Sequence, residues 1–83
     1  MWTGQEILDT IGGFDRIVKY DAKYKGYTVY QPYSSRKLTL GYPRFYLVKG
    51  DELRDTNYPY EFEKVVAFLK ANDVYPKIPH IPD

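Results

Sequence analysis

The only histidine of the 83-residue chain, His80, stands between Pro79 and Ile81 in a segment whose prolines recur at Pro76, Pro79 and Pro82. A general base must be held within hydrogen-bond reach of the proton it takes. A proline-spaced terminal segment is a poor place to hold one, so His80 reads as a surface residue. Ser34-Ser35 has neither the glycine pattern of a nucleophile elbow nor a histidine near it, and reads as turn chemistry. The chain has no cysteine, hence no thiolate, no disulfide and no thiolate metal site. Asp51, Glu52 and Asp55 are its densest acids and could offer oxygen to Mg²⁺ or Ca²⁺. Their spacing matches no cation loop, however, and Gly50-Asp51 explains itself as a hairpin tip. The six glycines form neither a dinucleotide fingerprint nor a P-loop. The expectation is a protein without catalytic activity, cofactor or metal.

The stronger chemical signal is a basic, tyrosine-rich middle. From Arg16 to Lys49 eight Lys or Arg stand against one acid, Asp21, a window charge of +7. The flanks then sum to −6, because the whole chain carries +1. Seven of the ten tyrosines lie in the same window. Cations interleaved with aromatic rings suit an acidic protein partner, since Tyr and Arg are the residues that interfaces enrich. They also suit stacked bases and phosphates. A sequence pI near 7.9 lies below the value of about 9 usual for dedicated nucleic-acid binders, so single-stranded nucleic acid stands second. The plain competitor to both readings is a solvated sheet face whose lysines blunt its edges.

These residues must be positioned by the elements around them. Thr3 and Glu6 have the capping-box spacing, and Trp2 and Ile7 stand where a hydrophobic staple would close. Ile7, Leu8 and Ile11 make one apolar stripe before Gly12-Gly13 stops the helix. A hairpin follows, residues 17–24 with 27–33, turning at Lys25-Gly26. In that register Tyr24 pairs with Tyr27, Ala22 with Val29, Tyr20 with Gln31 and Val18 with Tyr33. The opposite face carries Lys19, Asp21 and Lys23 against Pro32, Tyr30 and Thr28, which puts Tyr30 on the solvent side between two lysines. Pro32 marks an edge or the end of the second strand.

Tyr33 to Gly41 reads as a loop, with a short strand possible at Lys37–Leu40. Arg44–Lys49 reads as the best strand of the chain, either covered on both faces or central in the sheet, since its apolar residues do not alternate. Glu52–Asp55 forms the short return strand. A second helix opens at Asn57 or Tyr58, with Pro59 in its first turn. It buries Phe62, Val65, Val66 and Leu69 as one stripe and ends with Asn72 at C′. Beyond it, Tyr75, Ile78 and Ile81 would anchor an extended tail.

The expected architecture is therefore α+β. A small antiparallel sheet of three to five strands is flanked by an N-terminal and a C-terminal helix, both on one face of the sheet. Residues 1–73 form the single domain, and 74–83 a proline-rich extended C-terminal tail. The N-terminus has neither the basic nor the apolar region of a signal peptide, and no apolar run is long enough to span a bilayer, so the default location is cytoplasmic with no membrane contact. The residues expected to bind a partner are Lys19, Lys23, Tyr30, Arg36, Lys37 and Arg44. Their partner is expected to be a protein with an acidic surface.

Overall fold

The computed structural model describes residues 2–33, 44–56 and 60–75. Among them the chain forms α1 (Gly4–Ile11), β1 (Arg16–Tyr24), β2 (Tyr27–Tyr33), β3 (Tyr46–Lys49), β4 (Glu52–Asp55) and α2 (Tyr60–Ala71). The strands make one antiparallel sheet in the order β1-β2-β3-β4, so the α+β class holds. The expected strand at Lys37–Leu40, the site residues Arg36 and Lys37, the N-cap at Asn57 or Tyr58, and the tail beyond Tyr75 lie outside the described residues.

The two helices cover opposite faces of the sheet, where both were expected on one. The reason lies in β2 and β3, whose apolar residues fall on both sides. Val29 and Leu47 point toward α2, in a cluster with Tyr20, Tyr24, Phe45, Val65 and Leu69. Their chain neighbours Tyr30 and Val48 point the other way, into a cluster with Ile7 of α1. A strand with apolar residues on both sides needs a cover on both. The contiguous apolar run at Phe45–Val48 is accounted for by this two-sided cover, and Tyr30 and Val48 supply the surface that α1 buries.

Local chemistry sets each element's ends. The Thr3 hydroxyl accepts from the Glu6 backbone N–H, and the Glu6 carboxylate accepts from that of Thr3, closing the capping box. Gly12 ends α1 at φ 67°, a backbone conformation that glycine enters without strain. At the other end Asp73, not Asn72, is the left-handed residue, at φ 60°. Its N–H bonds the Lys70 carbonyl and the Val74 N–H bonds that of Leu69. This is the paired pattern of a Schellman cap, and Val74 adds the accompanying apolar contact beside Leu69. Asn72 instead donates through its side chain to the Phe68 carbonyl.

The α2 stripe packs on the sheet as the spacing predicts, although Phe62 and Val66 are only half-buried where full burial was expected. Val65 and Leu69 are fully buried, and Phe62 stacks on Phe45 with ring centroids 4.9 Å apart. Phe68 joins from the flank, edge-on to Tyr24. Tyr75 follows the helix back onto the core, against Tyr20 and Phe45. Arg54 ties β4 to α2 by two hydrogen bonds to Glu61, 2.7 and 2.8 Å, with its guanidinium 4.9 Å from the Tyr27 ring. Glu61 is the main reason the guanidinium pKa rises above its ordinary value, against the opposing effect of burial. With the Arg54 side chain about a third exposed, solvent screening holds this pair to about 1 kcal/mol.

Phe45 precedes β3, which starts at Tyr46 and not at Arg44. Its backbone is bonded at both ends by Thr56, through the threonine N–H and hydroxyl. Among the described residues no helix is long and apolar enough to cross a membrane.

Candidate functional site

The β1–β2 hairpin turns at Lys25-Gly26, both at positive φ (51° and 84°), which is the I′ geometry that two-residue hairpins favour. Near the turn the expected register holds, with Tyr24 opposite Tyr27 and Lys23 opposite Thr28. Beyond it the register slips, because Lys19 stands opposite Tyr30, Val18 opposite Gln31 and Arg16 opposite Tyr33. Tyr20, Asp21 and Ala22 together span the single position of Val29. The excess is two residues, so the period-two alternation survives, and Val18, Tyr20, Ala22 and Val29 keep the helix-covered face expected of them. Val18, Tyr20 and Ala22 face α2, while Lys19, Asp21 and Lys23 are exposed. Asp21, expected opposite Tyr30, lies in the bulge instead.

Tyr30 is the main correction to the expected site. It is only 8% exposed, packed with Ile7 and Val48 beneath α1, and so does not stand on a solvent face. What remains open on this side is set by the length of α1. Eight residues make a helix of about 12 Å, which covers the sheet beside Ile17 and Tyr46 but does not reach the hairpin tips. Trp2, immediately before the helix, closes part of the gap. Its indole N–H donates to the Asp51 carbonyl at 3.0 Å, pinning the ring to the β3–β4 turn.

Between these parts lies a cavity of about 280 Å³. Trp2 forms one wall, Tyr30 and Val48 supply apolar surface, and Lys19, Lys23 and Thr28 contribute the polar groups of this sheet face. Gly26, Gly50 and Lys49 border it at the hairpin tips. Lys49 runs along the bare backbone of Gly26, and its ammonium lies 5.7 Å from the Tyr27 ring. No acidic residue lines the cavity.

Arg44, the remaining expected site residue among those described, does not join this group. Arg44 lies before β3, away from the hairpin tips, and its guanidinium is bound to Asp55 at 2.9 Å. Its charge is therefore matched within the domain. The acids considered as a cation site are likewise engaged: Asp55 with Arg44, and Glu52 accepting from the Tyr27 hydroxyl at 2.9 Å. Among the described residues no group of three or more acidic, histidine or cysteine side chains is arranged to hold a metal.

Sequence reasoning missed Trp2, Thr28, Val48 and Lys49 as one constellation. Trp2 read only as a helix staple, although as the chain's single tryptophan it carried a signal, since exposed aromatic rings beside cations mark interfaces. Comparison with protein-family models, curated proteins and solved structures finds no match.

Proposed function

We propose that this chain is a small non-catalytic interaction domain that docks an acidic segment of another protein in the groove beside Trp2. One observation carries the reading. Lys19 and Lys23 are exposed on the same side of the sheet as a cavity walled by Trp2 and Tyr30, and no carboxylate lines that cavity. Cations around an apolar floor match a partner with acidic residues flanking an apolar or aromatic one. The basic window of the sequence supports the same reading, narrowed to its hairpin half.

The test uses the single tryptophan as reporter, since an occupant of the cavity changes the surroundings of the Trp2 ring. Titration with a peptide of alternating Glu and Tyr should shift the fluorescence, and the affinity should fall as salt rises. Reversing both charges, Lys19→Glu with Lys23→Glu, should abolish the shift while leaving the circular dichroism of the folded chain unchanged. A mixed-sequence single-stranded oligonucleotide is titrated in parallel. If it binds tightly with a steep salt slope and the peptide does not, the surface belongs to nucleic acid. If the double reversal leaves peptide binding unaltered, these lysines are only the solvated face of a sheet.

A further inference from the structure

We propose that α1 is an exchangeable arm: two copies of this chain swap it, each seating its α1 on the sheet of the other. Three observations converge on this exchange, and none of them rests on the docking role proposed above.

The first is how lightly α1 is held. Eight residues are too few for a helix to persist alone in water, so α1 depends on being docked. Ile7 is the residue it buries fully. Among the described residues the cluster around Ile7 has three buried members, against seven in the cluster beneath α2. Elements that bury little apolar surface are the first to open.

The second is the hinge. Gly12 and Gly13 follow the helix at φ 67° and 79°, both exposed. A Cβ on either would meet nothing within 4 Å among the described residues. The turn is therefore uncrowded, and its conformation rests on glycine's tolerance of positive φ. Glycine reaches an extended conformation equally well, and that carries α1 away from β1. Because β1 lies at the border of the sheet, the open hinge leaves from an edge rather than from beneath a neighbouring strand.

The third is that the contacts holding α1 are indifferent to which chain supplies it. Ile7 clusters with Tyr30 and Val48, Gly4 closely approaches Ile17, and the Trp2 indole bonds Asp51. All of these join the arm to residues beyond the hinge. The arm of a second copy reproduces each of them, so the segment that fits this sheet face is another α1. In the exchanged pair the wall that Trp2 gives the groove comes from the other copy.

Equal contacts leave concentration to decide. A short flexible link gives a chain's own arm a roughly millimolar effective concentration. The parent chain should therefore be monomeric at micromolar concentration and partly dimeric near millimolar. Light scattering after gel filtration compares it with the double variant Gly12→Ala, Gly13→Ala. Alanine at positive φ strains the closed turn but not the extended hinge, by about tenfold per residue. The variant should thus dimerise at least about a hundredfold more readily. Isotope-labelled and unlabelled chains, unfolded and refolded together, should show nuclear Overhauser contacts from Ile7 of one chain to Tyr30 or Val48 of the other. A double variant that stays monomeric at millimolar concentration overturns the proposal, as does a dimer whose Ile7 contacts stay within one chain. If the variant does not fold, the same isotope-filtered spectrum of the parent at millimolar concentration decides, and the absence of cross-chain Ile7 contacts there rejects the exchange. The docking role is judged separately by its own titration and stands or falls without this result.

Discussion

The indole of Trp2 is hydrogen-bonded to the backbone of Asp51, 49 positions away in the chain. This one contact joins the start of α1 to the turn between β3 and β4, and it holds up one wall of the candidate groove. Trp2 also packs into the cluster around Ile7, so the residue before the helix is both a staple and part of the site. Trp2→Ala should cost roughly 1–3 kcal/mol, less than a fully buried ring because Trp2 is only half-buried. Urea denaturation followed by circular dichroism measures this, and an unchanged midpoint would show that the ring contributes nothing to the fold.

Gly4 stands where α1 touches β1. A Cβ there would lie 2.9 Å from Cγ2 of Ile17, a β-branched side chain with little rotamer freedom. Gly4→Ala gains up to about 1 kcal/mol of helix propensity and loses about 1–3 kcal/mol to overpacking. The expected net is a loss, read as a lower thermal midpoint. A rise would mean that α1 can shift away from the sheet at no cost.

Tyr20 and Gln31 are both buried, and the tyrosine hydroxyl donates to Oε1 of the glutamine. Tyr20→Phe removes the donor and leaves a buried acceptor without it, at a cost of about 1–3 kcal/mol. Adding Gln31→Met should recover part of the loss, because both partners are then apolar. A double variant no more stable than Tyr20→Phe alone would contradict this account.

Leu69 is fully buried in the cluster formed by α2 and the sheet. Leu69→Ala should cost roughly 2–5 kcal/mol, a large share of the margin of so small a domain. Guanidinium denaturation should find the variant unfolded at concentrations that leave the parent chain intact.

Lys25 occupies the first turn position at φ 51°, a region that asparagine tolerates better than lysine. Its ammonium lies 5.4 Å from the Tyr24 ring, an exposed contact that gives back about 0.5 kcal/mol. Lys25→Asn should therefore stabilise by only about 0.5 kcal/mol, visible as a small rise in denaturant midpoint with an unchanged slope. A destabilised variant would show that the cation–ring contact outweighs the turn preference.

The sequence by itself determined what local rules govern. The capping box at Thr3 and Glu6, the Gly12 stop, the Lys25-Gly26 and Gly50-Asp51 turns, and the Phe62–Leu69 stripe all follow from a few neighbouring residues. So does the inward and outward alternation along β1 and β2, which a two-residue bulge leaves unchanged. Three things were decided only by tertiary structure. The register beyond Ala22 depends on which cross-strand partners pack best, and period two cannot tell a slip of two residues from none. The placement of α1 opposite α2 depends on whether Tyr30 and Val48 find cover, and tyrosine serves equally well in core and at surface. The groove exists because an eight-residue helix stops short of the hairpin tips while Trp2 bridges to Asp51. That contact spans nearly the whole distance between the first helix and the last strand, and no local pattern encodes it.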